Sequence, residues 1–167
     1  MMNRINVQAH WEQIYTERAS DAVSWYRPHL AKSLSLIEQC APVKSASIID
    51  VGGGESTLVD DLLAQGYENI TVLDISQAAI EVSQKRLGVV SERVHWIVAD
   101  ITKAELPSST YDVWHDRAAF HFLTAESDRA TYVRHVARAV RRGGHVMVST
   151  FGLERPFQER QSRELGH

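Results

Sequence analysis

Short runs of β-branched and apolar residues alternate with helical patterns through most of this chain, from Ser47 onward. Five runs are typical of strands: Ile48-Ile49, Ile70 to Leu73, Val94 to Val98, Tyr111 to Trp114 and His145 to Val148. Repeated strand, helix, strand units connect through right-handed crossovers and build a mostly parallel sheet with helices on both faces. We therefore predict a doubly wound α/β fold whose ligand crevice lies at the carboxyl ends of the strands.

The segments between the strands carry helix signals. We predict helices at Leu58 to Leu63, at Gln77 to Leu87 with Ser76 as its N-cap, and from about Ser127 to Arg142. Each precedes a glycine that can take the left-handed conformation ending a helix: Gly66, Gly88 and Gly143-Gly144. Two further helices, Val7 to Arg18 and His29 to Gln39, precede the alternating region.

Composition argues against several classes of function. A net charge of −3 provides no overall positive field for a nucleic-acid backbone, so nucleic acid is not an expected partner. Cys40 is the only cysteine, which rules out an intrachain disulfide and fits a reducing cytoplasm. No apolar run is long enough to span a membrane, and the eight histidines lack a metal-ligand spacing. We expect a cytoplasmic protein without a metal site.

The glycine-rich segment Asp50-Val51-Gly52-Gly53-Gly54 lies between the first predicted strand and the helix that follows it. Glycines at this place let the backbone approach a ligand closely. Thr57 stands where a dinucleotide-binding loop has its third glycine, and Asp50 would repel phosphates while favouring a cationic amino group. S-adenosylmethionine (SAM) carries such an ammonium group and has no pyrophosphate. The loop therefore favours SAM over NAD.

Two more acidic residues follow the next two strands. Asp74 ends the second strand, where a carboxylate can accept hydrogen bonds from both hydroxyls of a ribose. Asp100 ends the third, and its carboxylate can accept from an adenine amino group while Ile75 and Ile101 sandwich the ring. The alternative is that each aspartate caps a following turn or helix. The adjacent glycine cluster favours a joint ligand site.

Together these motifs resemble the class I SAM-dependent methyltransferase family over roughly residues 45 to 151. The similarity lies in Asp50 to Gly54, Leu73-Asp74-Ile75-Ser76, Ala99-Asp100, Tyr111 to Arg117, and Arg142-Gly143-Gly144-His145, which looks like the turn before the family's fifth strand. The opening stretch, His10-Trp11-Glu12 through Tyr15 with Ser24-Trp25-Tyr26, is similar to a subgroup that includes protein-lysine methyltransferases. The resemblance implies a Rossmann-like core, SAM as cofactor, S-adenosylhomocysteine as product, and a small-molecule or protein acceptor.

On this basis we divide the chain into three parts. Residues 1–44 form a helical segment that covers the cofactor site, residues 45–151 form the SAM-binding core, and residues 152–167 form a short polar tail. Trp25 and Tyr26 are expected to line the site, because aromatic rings exclude water and favour a cationic sulfonium. Trp11 and Tyr15 are four residues apart and fit packing of the first helix better.

The candidates for chemistry follow the fourth strand. Methyl transfer requires alignment, exclusion of water and sometimes a base, and the end of this strand borders the expected crevice. We predict Asp116 and His115 as catalytic candidates, with Asp116 favoured and with Arg117 and His121 nearby. The alternative is that Asp116 and Arg117 form a local ion pair and that both histidines are partly buried without a catalytic role.

The sequence departs from the family after strand five. The residues beyond Phe151 are too few for the family's usual final helix and antiparallel strand pair, so the last sheet edge is expected to be exposed. We expect a homodimer through this edge or a tail folded over it. Two alternatives to an active methyltransferase remain open, namely a module that binds SAM without turnover and, less favoured, an NAD-dependent oxidoreductase.

Overall fold

A computed structural model describes residues 6–17, 29–117 and 119–150 of the chain. Five strands form one parallel sheet in the order β3-β2-β1-β4-β5: β1 (Ser47–Val51), β2 (Asn69–Asp74), β3 (Val94–Val98), β4 (Tyr111–Asp116) and β5 (Val140–Val148). β2 and β3 lie on one side of β1, and β4 and β5 lie on its other side. The predicted α/β class is confirmed, and its topological switch point lies between β1 and β4.

The helices are α1 (Asn6–Glu17), α2 (Ala31–Cys40), α3 (Leu58–Ala64), α4 (Gln77–Leu87) and α5 (Glu126–Ala139), with 3-10 helices at Gly88–Arg93 and Phe120–Phe122. The Ser76 hydroxyl accepts a hydrogen bond from the Ala79 N–H, as expected of an N-cap. Gly66 and Gly88 both have positive φ angles after their helices. The predicted start of α4 and the stops of α3 and α4 are therefore confirmed.

Successive residues of β1 bury their side chains on opposite faces of the sheet. Ile48 belongs to a core cluster with residues of α2 and α3, whereas Ile49 and Val51 belong to a second cluster that includes Trp114 and Tyr132 of α5. A parallel sheet covered on both faces needs apolar residues at consecutive positions. This requirement explains why the β1 segment is an unbroken apolar run up to Asp50.

The end of α5 differs from the prediction of a helix running to Arg142. The helix ends at Ala139, and Val140 already has extended backbone angles and pairs with Tyr111 as the first residue of β5. The register then shifts, because Val113 pairs with His145. Gly143 has a φ of 81° within this irregular stretch. The predicted turn at Arg142 to His145 is therefore a bulge inside β5, since Val140 favours strand pairing over another helical turn.

Several predictions concern parts of the chain outside the described residues. These are the loop with Trp25 and Tyr26, the end of the fifth strand at Phe151 and the tail at 152–167. Within the described ranges, no helix is both long enough and apolar enough to cross a bilayer.

Candidate functional site

The fold brings the predicted acidic residues to one edge of the sheet. Asp50 lies near the end of β1, Asp74 ends β2, and Asp116 ends β4. All three carboxylates are buried, with exposed fractions of 2%, 4% and 0%. Because parallel strands share a carboxyl edge, these acids surround the switch point beside the glycine loop. Burying three carboxylates is costly unless hydrogen bonds or a ligand compensate.

Asp50 forms a short, buried contact with His115. The two residues are register partners of β1 and β4, and His115 Nδ1 lies 2.7 Å from Asp50 Oδ1. The other ring nitrogen, Nε2, lies 3.0 Å from Ser33 Oγ on α2. Asp50 Oδ2 is buried and has no hydrogen-bond partner among the described residues. One oxygen of Asp50 is therefore held by the protein and the other lacks a donor.

The glycine loop packs tightly against these acids. A Cβ at Gly53 would clash with Asp50 Oδ2, and a Cβ at Gly54 would lie 2.5 Å from Ala79 Cβ and 2.8 Å from Asp74 Oδ2. The Ser83 hydroxyl of α4 also donates to the Gly54 carbonyl. The glycines thus make room for the protein's own carboxylates and for α4, a role that the motif alone did not indicate.

Asp74 organises the loop as well as the start of α4. Its Oδ2 accepts from the Gly54 N–H at 2.9 Å, and its Oδ1 accepts from the Ser76 N–H at 2.9 Å. Burial raises the pKa of Asp74 to about 6, although these backbone donors oppose the increase. The Ile75 N–H is a third backbone donor to this carboxylate. A carboxylate has about four acceptor positions, so Asp74 can still accept from a ligand.

Glu55 is an acidic residue of the site that the sequence reasoning missed. Its side chain is buried directly after the glycines, and its Oε2 has no hydrogen-bond partner in the described part of the chain. Burial raises its pKa to about 7, with the positive charge of Arg86 opposing and the charge of Asp74 adding to the increase. A glutamate inside a glycine-rich loop between two buried elements was the available signal.

Arg86 of α4 holds the same loop from its outer side. Its Nη2 donates to the Ser56 carbonyl at 3.0 Å and to Asp60 Oδ2 at 2.7 Å. Its Nη1 donates to the Glu55 carbonyl at 3.5 Å. The guanidinium therefore connects α4 to the loop and to the first turn of α3, where carbonyl and carboxylate acceptors converge.

Asp100 does not end its strand, contrary to the prediction. β3 ends at Val98, and Asp100 Oδ1 accepts from the N–H and the hydroxyl of Thr102 at 2.9 and 2.7 Å. The bounds of β3 match the predicted run from Val94 to Val98, and Asp100 caps the turn that follows the strand, as the alternative interpretation of the aspartates predicted. Asp100 Oδ2 lies 3.8 Å from Lys103 Nζ. Ile101 is buried in the cluster that contains Trp114, whereas Ile75 is half-buried at the start of the turn before α4.

Asp116 is enclosed by donors. Its Oδ1 accepts from the Ala119 N–H at 2.7 Å, and its Oδ2 accepts from the Phe120 N–H at 3.0 Å and from the Tyr132 hydroxyl at 2.6 Å. Tyr132 in turn accepts from Trp114 Nε1 at 2.9 Å. Burial raises the pKa of Tyr132, and Asp116 adds to that increase. Arg117 and His121 both lie half-buried in the segment that Asp116 organises.

Helix α1 extends across the site from one side of the switch point to the other. Glu12 accepts hydrogen bonds from the Ser76 hydroxyl at 2.6 Å and from the Ala78 N–H at 3.0 Å, at the start of α4. Its neighbour Trp11 makes an edge contact with Phe122, at 4.7 Å between ring centroids, after β4. The sequence reasoning assigned no role to Glu12. The predicted packing of Trp11 against Tyr15 is confirmed, with ring centroids 6.1 Å apart, and the contact with Phe122 is additional.

The segment that forms the sheet and its carboxyl edge matches a known protein family. A family model described as "Methyltransferase domain" matches residues 48–144, which extend from β1 into β5. This range includes the glycine loop, Asp74, Asp100, His115 and Asp116. The matched segment is thus the part of the chain that forms the sheet and its carboxyl edge.

Two curated relatives have the same kind of domain in longer chains. The eEF1A lysine and N-terminal methyltransferase of Mus musculus is 27% identical over 138 residues, covering 83% of this chain and 19% of the relative. The malonyl-[acyl-carrier protein] O-methyltransferase 1 of Ilyobacter polytropus is 27% identical over 143 residues, covering 85% of this chain and 51% of the relative. The chain therefore spans between about a fifth and a half of these relatives.

A solved structure supports the fold independently. The SAM-bound amino pentose methyltransferase from Micromonospora echinaspora superimposes with a TM-score of 0.64 at 19% identity. The superposition covers 89% of this chain and 58% of that protein. At this identity the likeness concerns the fold, and it places the sheet of this chain among Rossmann-like α/β folds.

Proposed function

The chain belongs to the methyltransferase domain family, as its class I motifs predicted, and we propose that it transfers a methyl group from SAM to a small-molecule or protein acceptor. The observation that carries this proposal is the buried, unpartnered Oδ2 of Asp50 beside the glycine loop. A buried carboxylate oxygen without a donor costs about 1 to 3 kcal/mol. An ammonium group, directly or through a water molecule, is the partner that would remove this cost.

The remaining residues of the carboxyl edge suit the rest of the same cofactor. We propose that Asp74 accepts from the ribose hydroxyls, and that Asp100 accepts from the adenine amino group through the oxygen that Thr102 leaves free. Ile75 and Ile101 flank the adenine in this proposal, and Gly52, Gly53 and Gly54 form the loop beneath the methionyl part. Trp25, proposed as a further contact, lies outside the described residues.

The N-terminal segment 1–44 is proposed to cover this site. Support comes from Glu12 and Trp11 on α1, which contact elements on opposite sides of the switch point, and from Ser33 on α2, which contacts His115. When SAM is bound, its sulfonium supplies an activated methyl group for in-line displacement. The chain's task is then to exclude water and to align the acceptor.

Asp116 remains the favoured candidate for orienting the acceptor or taking its proton. Two of its described hydrogen bonds fix the backbone at Ala119 and Phe120, which borders the crevice. His115 has both ring nitrogens engaged in the buried interior, so we assign it a supporting role rather than that of a base. The relatives' names indicate two classes of acceptor to test, a protein amine and an oxygen of a malonyl group on an acyl-carrier protein.

Calorimetric titration with SAM, S-adenosylhomocysteine and NAD tests the cofactor proposal. We expect the first two to bind and NAD not to compete. Asp74→Asn is expected to weaken binding at least tenfold, because it replaces a buried charged acceptor. Asp112→Asn is the matched control, since this aspartate lies at the opposite end of β4 and accepts from the Ser47 N–H. Failure of folded protein to bind SAM would refute the proposal.

Turnover separates an active enzyme from a module that only binds SAM. The assay supplies SAM with a radioactive methyl group to lysine-containing peptides and to carboxylate acceptors, and it measures both the label transferred to the acceptor and the release of unlabelled S-adenosylhomocysteine. Release that depends on an acceptor supports an active methyltransferase. Binding without release to any acceptor favours the second alternative.

The outer edge of β5 supports a separate proposal about assembly. β5 is an edge strand of the described sheet, and its Val146 and Val148 side chains are exposed by 47% and 41%. An open apolar edge strand promotes pairing with another chain. We propose that a second copy or residues 151–167 cover it. Sedimentation velocity combined with amide exchange tests this, and a monomer with rapidly exchanging β5 amides would contradict it.

A further inference from the structure

A hydrogen-bonded chain connects helix α2 with the end of β1 through the interior. Ser33 Oγ lies 3.0 Å from His115 Nε2, and His115 Nδ1 lies 2.7 Å from Asp50 Oδ1. Only 2% of the surface of His115 and 2% of that of Asp50 are exposed. These contacts join residues 65 and 82 positions apart in the sequence. The hydrogen bonds from Ser33 through His115 therefore fix the orientation of the buried Asp50 carboxylate at the switch point.

The hydrogen-bonding capacity of the imidazole determines the direction of each contact. An ionised carboxylate only accepts, so Nδ1 must donate to Asp50. In the neutral ring Nε2 then accepts, and the Ser33 hydroxyl is its donor. With both nitrogens engaged, His115 has no free position from which to take a proton from an acceptor.

Resting on the function proposed above, we propose that His115 is a positioning residue for the amino acid end of SAM. It holds Asp50 through Oδ1 and leaves Oδ2 as the acceptor for the ammonium group, directly or through water. The β1 and β4 register supports this assignment, because Asp50 and His115 are directly opposite and their side chains lie together. Ser33 completes the arrangement by fixing the ring from α2.

Gly53 contributes to the same geometry. A Cβ at this position would clash with Asp50 Oδ2, so the loop backbone confines the free oxygen on one side while His115 restrains the other oxygen. A carboxylate that is hydrogen-bonded at one oxygen and packed against the loop backbone at the other is restricted in its rotation about the Cβ–Cγ bond. Because the Asp50 carboxylate is already ordered before the ligand binds, binding loses little conformational entropy, which is the usual benefit of preorganisation.

The test compares two ligands that differ in the amino acid end. S-adenosylhomocysteine has the ammonium group, whereas 5′-methylthioadenosine has the same adenosine and thioether without it. For His115→Leu we expect the affinity for S-adenosylhomocysteine to fall about tenfold, the usual effect of losing a charged hydrogen bond. The affinity for 5′-methylthioadenosine is expected to stay within about twofold of wild type.

Conservative and combined variants distinguish positioning from general damage. His115→Asn keeps an amide donor near the place of Nδ1 and is expected to recover most of the lost affinity. In an Asp50→Asn background, His115→Leu should add no further loss, because the effect acts through Asp50. His95→Leu, at an exposed histidine of β3, is the matched control and should leave both affinities unchanged. Thermal unfolding of each variant verifies that it is folded.

Equal loss of affinity for both ligands in folded His115→Leu would overturn the positioning role, as would no loss for either. Covalent labelling of Ser33 by a fluorophosphonate would also overturn it, because the order Asp, His, Ser can activate a serine nucleophile. If wild-type protein binds neither ligand, the methyltransferase proposal itself fails. The two failures are therefore distinguishable.

Discussion

The carboxylate of Glu12 on α1 accepts a hydrogen bond from the hydroxyl of Ser76, the N-cap of α4, at 2.6 Å. The same carboxylate accepts from the Ala78 N–H at 3.0 Å, and Ser76 Oγ itself accepts from the Ala79 N–H. A negative charge at a helix N-terminus is stabilising because it faces unpaired backbone donors. Glu12 therefore attaches α1 to the first turn of α4, two residues from Asp74.

Glu12→Gln is expected to loosen this attachment without removing the side chain. The amide retains one acceptor oxygen but loses the charge, so we expect about 1 kcal/mol less stabilisation of the α1 contact. Amide exchange in α1 should become faster, and SAM affinity should fall several-fold. Hydrogen exchange with mass spectrometry and calorimetry measure the two effects.

The matched control for this prediction lies on the same helix. Glu17 is exposed and accepts only a local side-chain bond from Gln13 among its described contacts. Glu17→Gln should change neither exchange nor affinity. Equal effects from both substitutions would mean that the overall charge of α1, rather than the contact with α4, controls the site.

Gly53→Ala is expected to abolish cofactor binding. The added Cβ would clash with Asp50 Oδ2, whose carboxylate cannot withdraw without breaking its bond to His115. We expect a loss of about 1 to 3 kcal/mol in folding stability, typical of overpacking, and no measurable SAM binding. Thermal unfolding and calorimetry test the two parts separately.

Gly88→Ala is the control for backbone effects at a glycine. Gly88 has a φ of 59°, a ψ of −135° and open space where a Cβ would lie, so alanine there costs about 1 to 3 kcal/mol through its backbone alone. SAM binding should survive in this variant. Retained SAM binding by Gly53→Ala would show that the carboxylate of Asp50 moves more freely than the packing indicates.

Much of the fold followed from the sequence because local signals agreed with the global topology. Apolar runs located the five strands, and Ser76, Gly66 and Gly88 marked helix ends through cap chemistry that depends only on near neighbours. The shared carboxyl edge then followed from parallel pairing. The positions of Asp50 and Asp74 were accordingly predictable.

The contacts that connect distant segments were not predictable from one sequence. Glu12 meets Ala78 across 66 positions and Ser33 meets His115 across 82, and both contacts depend on how α1 and α2 dock. No periodicity encodes that docking. The errors at Asp100 and Val140 have a local origin instead, since Asp100 forms a side-chain turn with Thr102 beyond the end of β3 and early pairing extended β5.

Glu55→Gln is expected to change how stability depends on pH in the cofactor-free protein. Burial raises the pKa of Glu55 from 4.5 to about 7, so the folded state retains a proton that the unfolded state releases. The stabilisation from this group is therefore complete below pH 4.5 and is lost as the pH rises to about 7. Glutamine has no such proton to lose.

We accordingly expect Glu55→Gln to match wild type near pH 4 and to be about 1 to 3 kcal/mol more stable above about pH 7. Urea unfolding across this range measures the difference. Glu68→Gln, at an exposed glutamate before β2, should leave the pH profile of wild type unchanged. Parallel profiles for Glu55→Gln and wild type would show that the carboxyl is not desolvated.

Tyr132→Phe tests the network that holds Asp116. The Tyr132 hydroxyl donates to Asp116 Oδ2 at 2.6 Å and accepts from Trp114 Nε1 at 2.9 Å, all within the buried interior. Its removal leaves a carboxylate oxygen and an indole N–H each with one partner fewer, so we expect a loss of about 2 to 4 kcal/mol in unfolding free energy. Urea denaturation measures this loss.

Measurements of kcat and of SAM affinity in Tyr132→Phe test whether Asp116 orients the acceptor. If Asp116 orients the acceptor, the loosened carboxylate in Tyr132→Phe should lower kcat while the affinity for SAM stays near wild type, because the Asp50 and Asp74 contacts are intact. Tyr67→Phe is the matched control, since it removes another buried hydroxyl, bonded to the Ala41 carbonyl at 2.8 Å, far from the carboxyl edge. An equal fall in kcat for both variants would attribute the effect to lost stability and leave Asp116 without a role in acceptor alignment.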